Sequence, residues 1–108
     1  MDIRYYITKT GKDAVDGWIS GLADGRTEAR IFARIERLLG GNFGDTNPWV
    51  GGVFELRIDA GPGYRIYYAM IGRTCVLLLC GGDKRKQSSD IQRARNYLKD
   101  YLERTRKQ

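Results

Sequence analysis

The chain has 108 residues, 42% of them hydrophobic, which is enough for the core of one small domain spanning residues 1–108 and too little for two. Its 19 lysines and arginines outnumber its 13 aspartates and glutamates, which gives a net charge of +6. It contains no histidine, which excludes histidine-dependent catalytic triads and most transition-metal sites.

The excess positive charge lies in the second half of the sequence. Residues 1–54 carry 7 basic and 7 acidic side chains, whereas residues 55–108 carry 12 basic and 6 acidic ones. This one-sided distribution favours an anionic partner, such as a nucleic acid, that docks on one part of the domain. The alternative interpretation is a basic domain without such a partner.

The predicted location of the protein is the cytoplasm. No signal peptide opens the sequence and no apolar run is long enough to span a bilayer, so no membrane contact is expected. Cys75 and Cys80 are five residues apart in one apolar segment. In a strand this odd spacing places them on opposite faces, where they cannot form a disulfide, and we expect two free core cysteines.

The first half of the chain predicts one strand and two helices. Residues 3–8 read as a short strand, and a helix begins near Asp13 and ends before a tight turn at Asp24-Gly25. Thr27 is the expected N-cap of the second helix, and Gly40-Gly41 its end. The predicted buried faces are Val15, Trp18, Ile19 and Leu22 on the first helix and Ile31, Ile35, Leu38 and Leu39 on the second. A separate face of the second helix, expected to be solvated, carries Arg26, Arg30, Arg34 and Arg37.

The second half predicts a loop, three strands and a helix. The loop, residues 40–52, contains five glycines and is expected to be anchored by Phe43 and Trp49. Residues 53–58 and 64–71 alternate with period two, whereas residues 74–80 are continuously apolar, as in a strand buried on both faces. Ser89 and Gln92 match the capping box of a last helix. The order β-α-α-β-β-β-α predicts a small α+β domain whose helices pack on one face of an antiparallel sheet.

Strand parity predicts a cationic surface on the sheet face that the helices leave uncovered. Arg57, Arg65 and Tyr67 alternate with the apolar positions of their strands. Antiparallel pairing would bring the two arginines together, with the basic run 84–86 at the rim. Because guanidinium groups bind phosphate and aromatic rings stack on bases, single-stranded RNA suits this surface. The alternative is that each arginine is solvated or ion-paired.

If Arg57 is ion-paired, its candidate partners are Glu55 and Asp59. The motifs of other familiar sites are missing from the sequence. Gly61-Pro62-Gly63 is a turn with no helix after it, and the segment 81–84 lacks the spacing of a phosphate-binding loop. No cysteine or acidic cluster has the spacing of metal ligands. We therefore expect neither a metal nor a cofactor.

Three ordered motifs carry a resemblance to a known family. They are Leu56-Arg57-Ile58, Gly63-Tyr64-Arg65, and an apolar strand that ends in Gly-Gly-Asp-Lys, within GNFGDTNPWVGGVFELRIDAGPGYRIYY (41–68) and VLLLCGGDKRKQSSDIQRAR (76–95). Residues 28–99 resemble the RelE/ParE superfamily of bacterial and phage toxins, and more narrowly the HigB-like addiction module killer proteins, which are phage Gp49-like. The resemblance implies a RelE-like fold and the toxin of a type II toxin–antitoxin module.

The resemblance also implies partners and a target. The antitoxin would be a small protein, usually of the helix-turn-helix type, through which the toxin reaches operator DNA. RelE-like relatives cleave mRNA in the ribosomal A site without a metal, whereas ParE-like relatives poison DNA gyrase. A metal-independent, ribosome-dependent mRNA endoribonuclease is therefore the first prediction. A gyrase inhibitor of the ParE type and a non-catalytic basic RNA-binding module are the alternatives.

Site residues follow by position from the resemblance. Arg65 matches the strand arginine that RelE-type nucleases place on the scissile phosphate, and Lys84 matches a basic residue at the end of their last strand. Asp90 falls near a position where those nucleases have tyrosine or histidine, so the usual acid or base is replaced, and the proton acceptor is open between Asp83, Asp90 and Lys84. The predicted catalytic residues are thus Arg57, Arg65, Lys84 and Asp90, and the predicted RNA contacts are Tyr64, Tyr67, Arg85 and Lys86.

Overall fold

Five strands in the order β1-β5-β4-β3-β2 form one sheet in the computed structural model, which describes residues 1–22 and 24–106. The strands are β1 (Asp2–Tyr5), β2 (Thr46–Pro48), β3 (Phe54–Ile58), β4 (Tyr64–Ile71) and β5 (Cys75–Gly82). The helices are α1 (Ala14–Ser20), α2 (Gly25–Leu39) and α3 (Gln87–Arg106), and a short 3₁₀ turn (Lys84–Lys86) precedes α3.

The predicted α+β class is confirmed, and the predicted antiparallel meander forms the centre of the sheet. β3 pairs with β4 and β4 with β5, both antiparallel. β1 lies parallel to β5, as the long connection through α1, α2 and the strands β2, β3 and β4 allows. β2 pairs with β3 inside the segment predicted as a loop. With three residues that end in proline, β2 is too short to produce a period-two pattern.

The helices cover both faces of the sheet, so the prediction that they share one face is wrong. α1 and α2 pack over one face, where Leu56, Ile66 and Leu78 are buried. α3 packs over the other face, where Tyr67 and Leu77 are buried. The physical reason lies in β5, whose eight residues are all buried. A strand with apolar side chains on both faces needs cover on both faces.

A β-bulge changes the alternation of β5 near its end. The pairing of β4 with β5 shifts register between Tyr67 and Tyr68, which oppose Cys80 and Leu78 respectively. Cys80 therefore packs in the α3 core together with Leu77 and Leu79. Cys75 has the parity of Leu77, so the prediction of opposite faces for the two cysteines is wrong. Both cysteines are buried and free, as expected.

Two predicted helix starts are displaced because an aspartate supplies the cap. Asp24 accepts a hydrogen bond from the backbone N–H of Arg26 and another from the Thr27 hydroxyl, so α2 begins at Gly25 rather than after a turn. Asp83 caps the 3₁₀ turn, which runs directly into α3. Ser89 lies inside α3 and donates to the carbonyl of the preceding turn, so it forms no capping box.

The loop between α2 and β3 is held by three side chains. Phe43 stacks on Tyr68 with 5.9 Å between ring centroids, and Trp49 donates its indole N–H to Glu55, so both predicted anchors contact the sheet. The third anchor is Arg34, which is only 9% exposed and donates to the Phe43 carbonyl at 2.9 Å. The prediction of a solvated face is therefore wrong at Arg34. No helix among the described residues has the length and apolarity needed to cross a membrane.

Candidate functional site

Two arginines from adjacent strands meet at the end of the sheet. Arg57 on β3 is the direct cross-strand partner of Arg65 on β4, as antiparallel pairing predicts. Their Nε atoms donate to the same oxygen, Oε2 of Glu55, at 2.9 Å each. One carboxylate thus holds two guanidinium groups side by side. Its negative charge offsets the electrostatic repulsion between the two arginines.

Glu55 is fully buried and accepts four hydrogen bonds. Besides the two arginines on Oε2, its Oε1 accepts from the indole of Trp49 at 3.0 Å and from the side-chain amide of Gln87 at 2.7 Å. Burial opposes ionisation of this carboxyl. The hydrogen bonds from Gln87, Arg65 and Trp49, with the charge of Arg65, outweigh burial and lower the pKa of Glu55. The lowered pKa favours the ionised form of Glu55, which suits an anchor for the two arginines better than a proton acceptor.

The arginines line a recess of about 360 Å³. The side chain of Arg65 is 12% exposed and also donates to the Gly63 carbonyl at 3.1 Å. The side chain of Arg57 is 41% exposed and forms a second ion pair with Asp45 at 3.1 Å. Within residues 1–22 and 24–106, neither arginine uses its Nη2 in a hydrogen bond to the protein. The Nη2 groups of both arginines are thus left for an anion, with which Asp45 competes at Arg57. We call this place the arginine recess.

The other residues predicted for the site occupy different places. Tyr64 lines the arginine recess and packs edge-on against Trp18 with 5.6 Å between ring centroids. Lys84 is exposed, and its Cβ lies 3.4 Å from the position a Gly63 side chain would take, beside the recess. Tyr67 is fully buried under α3, so the predicted contact between Tyr67 and RNA is wrong. The error follows from α3, which covers the face predicted to be open.

Asp90 belongs to a second, larger cleft. This cleft of about 600 Å³ lies between α1, the end of β5 and the start of α3, and Arg85 and Lys86 line it too. Asp90 is 5% exposed; its Oδ1 accepts from Arg93 at 3.2 Å, whereas its Oδ2 has no hydrogen-bond partner. Arg85 is exposed and ion-paired with Asp83 at 3.0 Å. The predicted site is therefore divided between the arginine recess and this second place, which we call the edge cleft.

The environment of Asp90 predicts an unusual pH dependence. Burial raises the pKa of Asp90 above its ordinary value, and the charges of Arg93 and Lys86 reduce that rise. An acid with a raised folded-state pKa costs stability as the pH increases from its unfolded value, about 3.9, through its folded value. Asp90→Asn should therefore become more stable relative to the wild type across that interval and stay so above it. Urea unfolding of both proteins from pH 3.5 to 7 measures the difference, and a constant difference would contradict the prediction.

Sequence reasoning missed three members of the arginine site. The sequence predicts Glu55 only as a possible partner of Arg57, whereas it also holds Arg65. It predicts Trp49 only as a loop anchor. Gln87 lies between the basic run and the predicted capping box, and the sequence analysis assigns it no role. The available signal was the parity of Glu55, which it shares with Arg57. Among the described residues, no three cysteine, aspartate or glutamate side chains come close enough to hold a metal ion.

Comparison with known proteins places the chain in a family. The sequence model of the family described as phage derived protein Gp49-like (DUF891) matches residues 18–99, a range that includes the whole arginine recess and all of the edge cleft except Lys12, Ala14 and Gly17. The chain belongs to the Gp49-like family. This Gp49-like protein is also 51% identical over 80 residues to an uncharacterized protein of Haemophilus influenzae, covering 74% of this chain and 81% of that relative. The Gp49-like family is a toxin-like, addiction-module family, which implies an antitoxin partner.

Proposed function

We propose that this Gp49-like protein is the toxin of a type II toxin–antitoxin module, a RelE/ParE-superfamily member of the HigB type. Its activity would be metal-independent, ribosome-dependent cleavage of mRNA. The observation that carries the proposal is the pairing of Arg57 and Arg65 on one buried carboxylate. Two guanidinium groups fixed side by side match the bidentate recognition of a phosphate.

The proposed reaction is an internal attack on the RNA backbone. The ribose 2′-oxygen attacks the adjacent phosphorus, and the bond from phosphorus to the 5′-oxygen of the next nucleotide breaks. Negative charge accumulates on the non-bridging oxygens in the transition state, where Arg65 and Arg57 stabilise it. Because Glu55 holds both arginines before the substrate arrives, little reorganisation accompanies the reaction.

The proton transfers fall to exposed groups around the arginine recess. Lys84, beside Gly63, is the residue best placed to protonate the leaving 5′-oxygen. The recess offers the exposed Asp59 as the acceptor for the 2′ proton, since Asp45 is already bound to Arg57. Asp90 is less suited to this role than the sequence suggested, because it is buried in the edge cleft and bound to Arg93. No group accepts and donates in turn, so cleavage of free RNA should be slow and the ribosome should be needed to orient the strand.

The partners and location proposed for the toxin follow from the same activity. The antitoxin would be a helix-turn-helix protein that brings the toxin to operator DNA, and the substrate would be mRNA on the ribosome. Both require a cytoplasmic location. An acidic antitoxin segment would find its complement in the second half of the chain, where the excess of basic side chains lies.

Replacing Arg65 tests the proposed activity. After a short induction in cells, Arg65→Ala should reduce codon-linked mRNA cuts at least about 100-fold and restore growth, since it removes one donor to the transition state. Mapping of transcript 5′ ends measures the cuts. Arg73→Ala, in the exposed turn between β4 and β5, is the matched control and should cut like the wild type. Circular dichroism and urea unfolding of the purified variants establish that they fold.

Three outcomes would contradict the nuclease proposal. Undiminished cuts and growth inhibition by a folded Arg65→Ala protein would exclude the assignment of Arg65. Induction of the SOS response with intact transcripts would indicate a gyrase inhibitor of the ParE type. Expression without any growth defect would indicate a non-catalytic RNA-binding module.

A further inference from the structure

β1 lies at one edge of the sheet and carries an open row of backbone groups. The N–H group of Asp2 donates to the Thr74 carbonyl beside β5. Because backbone groups alternate in direction along a strand, those of Ile3 and Tyr5 point away from β5. Among the described residues, no strand pairs with β1 on that outer side. Such an open edge is a template for pairing with a strand of another chain.

An apolar groove runs along the open edge, between β1 and α2. Its volume is about 450 Å³, and Ile3 and Tyr5 of β1 line it together with Phe32 and Leu39 of α2. Phe32 and Leu39 are 43% and 49% exposed. Apart from Glu36, the described residues that line the groove are apolar or aromatic. An apolar patch that is continuous over two elements marks an interaction surface, whereas single exposed side chains do not.

The other face of β1 carries one acidic and one basic side chain. Asp2 and Arg4 alternate with Ile3 and Tyr5, and both are exposed. Within residues 1–22 and 24–106, neither Asp2 nor Arg4 forms an ion pair. Arg4 donates through Nη1 to the hydroxyl of Tyr101 on α3, which leaves its other guanidinium N–H groups for a further partner.

We propose that β1 pairs antiparallel with β1 of a second copy of this chain, which makes a two-fold symmetric dimer with one continuous sheet. The outward backbone groups of Ile3 allow it to face Ile3 of the second copy. In that register Asp2 of each copy lies opposite Arg4 of the other, which gives two ion pairs. A shift by two residues in either direction would place Arg4 opposite Arg4 or Asp2 opposite Asp2, where like charges repel. The charges of the edge therefore favour this single register.

The same symmetry brings the two apolar grooves together. In an antiparallel pair the two-fold axis stands perpendicular to the sheet, so each face of one copy continues into the same face of the other. The grooves then adjoin on the α2 face, and Phe32 and Leu39 of both copies flank the two Ile3 side chains. β1 is separated from β4 by β5, so the dimer leaves the arginine recess open. The inference goes beyond the proposed function and does not depend on it.

Analytical ultracentrifugation of the full chain tests for the dimer. A four-residue strand pair and one groove make a small interface, so we expect a dissociation constant on the order of 10 μM. The average mass should therefore rise from one chain towards two between about 1 and about 300 μM protein. The backbone amides of Ile3 and Tyr5 should exchange with solvent more slowly over the same range. A mass of one chain at every concentration would overturn the inference.

Two leucines of equal exposure test the groove. Leu39 in the groove and Leu102 on α3 are 49% and 48% exposed. Leu39→Ser should weaken the dimer at least about tenfold, because it removes apolar area from the interface, whereas Leu102→Ser should leave the dimer unchanged. Urea unfolding establishes that both variants fold. Equal effects of the two substitutions would overturn the inference. A monomeric chain that needs Leu39 to bind an antitoxin would assign the groove to that partner and overturn it as well.

Two charge reversals test the register. Arg4→Asp leaves two acids on the edge and Asp2→Arg leaves two bases, so each variant alone should dimerise at least about tenfold more weakly. In a mixture of the two variants, acids again lie opposite bases, and a heterodimer should form that native mass spectrometry identifies by its mass. Urea unfolding checks Arg4→Asp in particular, since it also removes the contact with Tyr101. Unweakened homodimers of the folded variants, or a mixture without heterodimer, would overturn the proposed pairing.

Discussion

Replacement of Glu55 by glutamine should lower the free energy of unfolding by about 3 kcal/mol at neutral pH, because it leaves the largely buried Arg65 without its counter-ion and Arg57 with Asp45 alone. All four groups around the Glu55 carboxylate are donors: the guanidinium groups of Arg57 and Arg65, the indole of Trp49 and the amide of Gln87. A glutamine amide offers one acceptor oxygen, so its NH₂ group would face at least one of these donors without a partner. Urea unfolding of the wild type and Glu55→Gln measures the loss.

A matched exchange at the surface controls for the chemistry of the substitution. Glu103 is exposed on α3 and forms no ion pair among the described residues, so Glu103→Gln should change the unfolding free energy by less than about 0.5 kcal/mol. A comparably small effect for Glu55→Gln would mean that the arginines find other partners when Glu55 is neutral. Under the proposed function the same variant should also lose toxicity, since the two arginines proposed to bind phosphate depend on Glu55 for their position.

The sheet could be predicted from the sequence because its signals are local. Period-two alternation in residues 53–58 and 64–71 marks two strands, and the fully apolar run after them marks a third. A strand that is apolar on both faces must be covered on both faces. The apolar run therefore conflicts with the prediction that all helices pack on one face of the sheet. The bulge opposite Tyr67 and Tyr68 has no comparable signal, and it reverses the parity of everything after it in β5. The position of Gly82 under Asp90 depends on that reversal.

The arginine pair was predictable and its partners were not. Parity and antiparallel pairing suffice to bring Arg57 next to Arg65. Which acid they share depends on Trp49 and Gln87, which come from a glycine-rich loop and from the first turn of α3. Neither segment has a local sequence pattern that predicts the position of the Trp49 or Gln87 side chain. Long-range packing also determines the burial of Tyr67. Its side chain lies on the sheet face that was predicted to be open, but α3 covers that face.

Introduction of a single methyl group at Gly82 should destabilise the fold by about 1–3 kcal/mol, which is the usual cost of overpacking. The added Cβ would lie 1.9 Å from Oδ2 of Asp90, so the start of α3 must move away from the strand. The backbone of Gly82 is ordinary strand, which alanine adopts without strain, and therefore the whole effect comes from the contact with Asp90. Gly72→Ala is unsuitable as a control because its φ is +65°, whereas Gly17→Ala meets no atom within 4 Å.

A double-mutant cycle separates this contact from any general weakness of the strand. Asp90→Ala removes the oxygen that the new methyl group would strike, and it also removes a buried acceptor without a partner. In the Asp90→Ala background, Gly82→Ala should therefore cost less than about 0.5 kcal/mol, which makes the two substitutions strongly non-additive. Urea unfolding of the four proteins gives the coupling energy, with Gly17→Ala as the exposed glycine exchange for reference. Additive effects would mean that Asp90 does not lie over Gly82. The arrangement of the edge cleft described above would then be wrong at this contact.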